Sequence, residues 1–164
     1  MIELKLESPD PYYQIRDAAC ITEGKRAKKR DKLLGDERDF CERAFIAKHS
    51  ILRAAHFTII DTVRTDVEHQ LLRATKGSPQ PYCQSKRPDW NQGKARLPDD
   101  QSYSLFGHQH TAESFMAECN QRLCFRAMKE TREEVLRILK AMDESGIPFF
   151  EALALCCVPS CIAQ

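Results

Sequence analysis

Apolar residues recur along this chain with two different periods, and the switches between them mark out its elements. Residues 55–63, Ala-His-Phe-Thr-Ile-Ile-Asp-Thr-Val, alternate as a half-buried strand does. Before that strand, Asp36 can cap a helix running to about residue 48, with Phe40, Ala44 and Phe45 on one side. After it, Thr65 is followed three residues later by Glu68, a capping-box spacing that predicts a helix of about two to three turns. On such a helix Val67 and Leu71 point inward, while Gln70 and Arg73 share another face. From Thr111 to about residue 145 the period is again helical. Phe115, Cys119, Leu123 and Ala127 recur at steps of four, Val135, Ile138, Leu139 and Met142 follow, and Gly146 and Pro148 supply the C-terminal stop.

Two stretches show no sustained period. Residues 8–35 combine Pro9 and Pro11 with the basic run Lys25-Arg26-Ala27-Lys28-Lys29-Arg30, and read as a mobile, solvated segment whose charge is solubilising. Residues 88–110 contain Pro88, Trp90, Gly93, Pro98 and Gly107 and read as an extended loop. His108 and His110 lie in that stretch, and without a companion cluster they read as solvated histidines; no metal is expected.

Composition narrows the class. At 164 residues the chain fits one domain, residues 1–164, long enough for a real core. Lys and Arg number 25 against 24 Asp and Glu, so nothing in the balance calls for a nucleic-acid or membrane surface as partner. No apolar run approaches a membrane span and no secretory signal opens the chain, which makes the cytoplasm the expected location. Eight cysteines are scattered without zinc-type spacing and read as mostly reduced thiols, with 156–161 as one half of a metal or redox motif at most.

An anion site must then be local, and one stretch offers it. The expected helix ends in Arg73, Gly77 permits a tight turn, and Gln84-Ser85-Lys86-Arg87 follows from a loop. An arginine fork matches phosphate oxygens bidentately, and a hydroxyl with loop amides completes a cradle. The alternative is a helix C-terminus carrying cations that favour its dipole. Arg122 and Arg126, four apart on the long helix, form a second candidate; the alternative there is an exposed face laced by Glu118 and neighbouring charges.

Four blocks, taken in order, resemble the flavin-dependent thymidylate synthases, especially their short bacterial and phage variants. They are His49-Ser50-Ile51-Leu52-Arg53, His69 to Arg73 with Gln84 to Arg87, Arg122 to Arg132, and Val158-Pro159-Ser160-Cys161. The resemblance implies an α/β (α+β) fold, with a small mixed, largely antiparallel sheet packed with helices and one long C-terminal helix. It implies reductive methylation of dUMP to dTMP with FAD, NADPH and methylene-tetrahydrofolate, in a homotetramer with sites between subunits. By that resemblance dUMP meets Gln70, Arg73, Gln84, Ser85, Lys86, Arg87 and Arg122, the last as the catalytic group that polarises the uracil. FAD would meet His56, Arg73, Ala74, Thr75, Lys76 and Thr111. The signature that opens Arg-His-Arg in the family reads Arg73-Ala74-Thr75 here, and Ala117 stands where an asparagine is usual. Two alternatives follow: a diverged member that modifies a pyrimidine nucleotide differently, or a nucleotide-binding relative without catalysis.

Overall fold

The computed structural model describes residues 1–28, 35–73, 81–83 and 102–159. Strand β1 (Glu3–Leu6) leads to helix α1 (Pro11–Thr22) and then α2 (Gly35–Ile46). A 3₁₀ turn (Ser50–Ala54) feeds β2 (His56–Arg64), α3 (Thr65–Leu72), the short β3 (Tyr82–Cys83) and β4 (Tyr103–Thr111). Helices α4 (Ala112–Arg122), α5 (Lys129–Glu144) and α6 (Pro148–Leu155) complete the described chain. The sheet has the order β1-β2-β4-β3 with antiparallel pairings throughout. The expected mixed architecture with a small antiparallel sheet is therefore the one observed.

The long central pair β2–β4 carries the core. Its register sets Phe57 opposite His110, Ile59 opposite His108, Asp61 opposite Phe106 and Val63 opposite Ser104, and all eight side chains are buried. Period two puts them on one face. Phe57 is central: its ring meets Phe115 at 5.6 Å and Phe150 at 5.4 Å, both edge to face. Such pairs add about 0.5–1.5 kcal/mol each beyond area burial. Phe45 and Phe149 extend the cluster toward α2 and α6.

Several expectations are corrected. Within residues 8–35, Asp10 caps a helix by accepting from the Tyr13 amide at 2.8 Å, and Pro11 takes the first helical position, where its missing N–H costs nothing. Ile15 on that helix is fully buried, and Arg26 of the basic run pairs with Asp17 at 2.8 Å, so this part of the segment is built into the fold. Residues 29–34 lie outside the described part. The Thr65–Glu68 capping box does not form: Arg64 is the N-cap, without a side-chain capping bond, and Glu68 is buried. The expected loop at 88–110 includes strand β4 from Tyr103 onward, hidden in sequence because three of its four alternating inward residues, Ser104, His108 and His110, are polar. The single long helix from 111 to 145 is two, α4 and α5, separated by a turn over residues 123–128. Its end is as expected: Gly146 at φ +65° follows the C-cap, a conformation glycine adopts without a Cβ clash.

Candidate functional site

Of the residues expected at a nucleotide, Gln70, Arg73 and Arg122 fall in the described part; Gln84, Ser85, Lys86 and Arg87 lie outside it. Gln70 is half-buried on α3, and Arg73 is the exposed C-cap of that helix. Arg122 ends α4, also half-buried, and its Nε is shut off from solvent without a hydrogen-bond partner among the described residues. Helices α3 and α4 both pack on α5. Arg126 does not share a face with Arg122. It sits in the turn after α4, its guanidinium 5.8 Å from the ring of Phe125, which is 70% exposed. Arg132 of α5 ties this turn down by donating to the Phe125 carbonyl at 3.3 Å. The result is a cationic corner at the end of α4 with one guanidinium edge left unmatched.

Of the residues expected at a flavin, Ala74, Thr75 and Lys76 lie outside the described part. Thr111 is buried and its hydroxyl accepts from the Ser114 amide at 3.1 Å, half of a capping box that starts α4. Its chemistry is spent on the fold. His56 is exposed, but the cavity of about 480 Å³ beside it is also lined by Glu7 and Asp17, carboxylates that repel a diphosphate. Arg73 alone of these three offers an exposed cation suited to flavin phosphates. Ala117 is exposed on α4.

Sequence reasoning missed the most unusual polar group of the fold. His108 is 2% exposed, His110 fully buried and Glu118 1% exposed, so the expectation of solvated histidines is overturned. Both rings stand on the inward face of β4, and Glu118 hangs over them from α4, which the capping box of Thr111 and Ser114 launches directly from that strand. His110 Nε2 is 2.7 Å from His108 Nδ1 and 3.2 Å from Glu118 Oε2. The walls are aromatic: Phe106 stacks on His108 at 4.7 Å, and Phe57 and Phe115 flank His110. Burial pushes both imidazoles down, His108 to about 3, and holds them neutral. It pushes the Glu118 carboxyl up to about 8, against the opposing pull of Arg122 one helical turn away. The available signal was the alternation Ser104, Phe106, His108, His110 running into a capping box.

Seven of the eight cysteines are described, and no two of them form a disulfide, Cys156 and Cys157 included; Cys161 lies outside the described residues. No helix among the described residues is long and apolar enough to cross a membrane.

No family model matches the chain, and no curated protein matches it. Among solved structures it is similar to a UMP/dUMP methylase, PolB from Streptomyces cacaoi, in a structure bound with 5-Br dUMP. The TM-score is 0.63 at 14% identity, over 94% of this chain and 95% of that one. At that identity the likeness is one of fold, and it runs from end to end.

Proposed function

We propose that this chain modifies a pyrimidine nucleotide, methylating carbon 5 of a UMP- or dUMP-type substrate. The observation that carries the reading is the end-to-end fold likeness to a UMP/dUMP methylase, in a chain whose own helix ends present Gln70, Arg73 and Arg122. Arg122 is the residue of greatest consequence. An exposed arginine is satisfied by water, whereas its buried Nε needs an acceptor that the described residues do not supply, and a uracil carbonyl is a fitting one. As carbon 5 becomes nucleophilic, negative charge gathers on the ring oxygens, and a fixed guanidinium stabilises it without reorganisation. Gln70 can hold the ring or sugar by its amide, and Arg73 the phosphate.

The methyl group needs a one-carbon donor and a reductant, for which methylene-tetrahydrofolate and NADPH with FAD are the proposed set. Bound FAD would supply the redox chemistry of the transfer, with Arg73 holding its phosphates. A homotetramer, as in the flavin-dependent synthases the sequence resembles, would complete each site across subunits. Thr111 and His56, engaged or surrounded as described, favour one second reading: a nucleotide-binding relative that has lost the flavin half.

Visible absorption after FAD addition, followed by anaerobic NADPH with dUMP, separates the two. Flavin that binds and bleaches supports the methylase; protein that binds dUMP yet recruits no flavin supports the second reading. In an active enzyme Arg122→Ala is expected to lower turnover about 10²–10³-fold while dUMP affinity by calorimetry falls less than about tenfold. Equal losses in both would reduce Arg122 to a structural role.

A further inference from the structure

We propose that His108, His110 and Glu118 form a buried binding site for a divalent transition-metal cation of the zinc class, loaded as the chain folds. The inference stands apart from the nucleotide reading and rests on geometry. One ligating atom from each residue lies within 4.8 Å of the other two, and all three side chains are buried. Two imidazoles and a carboxylate are a donor set suited to Zn(II) and its first-row neighbours.

His110 faces the site with Nε2, and its other nitrogen meets Ser114. The Ser114 hydroxyl can donate its single proton to the Thr111 carbonyl at 3.1 Å, and the same oxygen accepts from the Thr111 amide at 3.0 Å. Toward His110 Nδ1, 3.2 Å away, that oxygen can then only accept. With that bond made, His110 carries its proton on Nδ1 and points the lone pair of Nε2 at His108 and Glu118. An outer hydrogen bond of this kind is what orients metal-ligating histidines.

The second observation is Glu118 itself. Neither carboxyl oxygen has a hydrogen-bond partner among the described residues, although Oε2 is 3.2 Å from His110 Nε2. Without a cation, His108 Nδ1–H can satisfy His110 Nε2, and no described residue then bonds Glu118. A cation between the three accepts from all of them at once. Phe57, Phe106 and Phe115 pack against the two imidazoles, and all three donor side chains are shut off from solvent among the described residues, so the metal would enter during folding.

The test uses the full chain purified without chelators from zinc-supplemented cells. Elemental analysis is expected to find about one Zn(II) per chain after desalting, and Co(II) substitution to give visible d–d bands of a low-symmetry site. Zn(II) in about hundredfold excess over its dissociation constant is expected to raise the melting temperature of chelator-stripped protein by roughly 5–10 °C. Glu118→Gln is expected to lose both metal and shift. Two results would overturn the proposal: folded wild-type protein with no stoichiometric metal and no response to Zn(II) or Co(II), or Glu118→Gln retaining the full equivalent. A Glu118→Gln chain that does not fold leaves the wild-type stoichiometry and melting shift to decide.

Discussion

Two carboxylates are buried on the same face of the same strand pair, and the protein treats them in opposite ways. Asp61 on β2 is 2% exposed but well matched: Arg137 of α5 pairs with it, and it accepts from the Thr62 amide at 2.7 Å. Arg137 also holds Glu134 at 2.8 Å, and its side chain keeps 43% exposure, so water shares the load. Glu118 on α4 is equally buried, yet it meets two neutral imidazoles inside an aromatic wall and finds no hydrogen bond among the described residues. Charge at the first place is compensated by a cation from the chain. At the second the chain brings up two imidazoles, and the nearby cation, Arg122, acts on the carboxyl only across a helical turn, without a hydrogen bond to it among the described residues. The contrast teaches that burial alone does not define a polar site; what decides is whether the fold supplies the partner.

The largest expected effect comes from opening the dry cluster. Phe57→Ala removes the ring that flanks His110 and joins Phe115, Phe149 and Phe150, and should cost about 3–5 kcal/mol of stability by cavity formation. Chemical denaturation measures it. A loss under about 1 kcal/mol would mean the aromatic wall collapses without strain, and that the two carboxylates differ less in environment than their burial indicates.

Arg137→Met attacks the compensated side. Removing the cation strands Asp61, a change worth about 3–5 kcal/mol for a fully buried pair. Since the arginine is 43% exposed and water can reach the vacated side, about 2 kcal/mol is expected, or about 4–8 °C in melting temperature. Adding Asp61→Asn should recover part of the loss by removing the uncompensated charge. No recovery in the double variant would show that Arg137 acts through its packing instead of its charge.

The sequence revealed elements better than it revealed this contrast. Strand β2 and helix α2 were legible because their apolar residues keep one period, and α3 was legible even though its cap is Arg64 instead of Thr65. Strand β4 was not, because Ser104, His108 and His110 occupy inward positions and disguise the alternation. Polar residues in such positions are rare, so a pattern argument discounts the very strand that carries the buried histidines. The break between α4 and α5 was hidden for a different reason. Leu123 keeps the four-residue step through the turn, as a buried residue can whether or not the backbone stays helical. Arg122 was legible as a candidate from resemblance, but its isolation from Arg126 depends on that turn.

The smallest effect sharpens the comparison through pH. Glu134 lies beside Asp61 and Arg137, and its carboxyl is pushed up from 4.5 to about 7, chiefly by burial, with Asp61 adding to the rise and Arg137 opposing it. A carboxyl whose folded value exceeds its unfolded one binds its proton more tightly in the native state. Its contribution to stability is therefore complete below about pH 4.5 and is lost as pH rises through about 7. Glu134→Gln cannot titrate, so the difference in unfolding free energy between wild type and variant should move in the variant's favour from pH 5 to pH 8. Partial exposure and the shared arginine limit this to of order 1 kcal/mol. A difference flat across that range, in urea titrations at matched ionic strength, would place Glu134 in the ionised, fully paired state throughout. The Asp61 side would then be a simple ion-paired cluster with no proton of its own to lose, and the contrast with Glu118 would be wider than burial alone makes it.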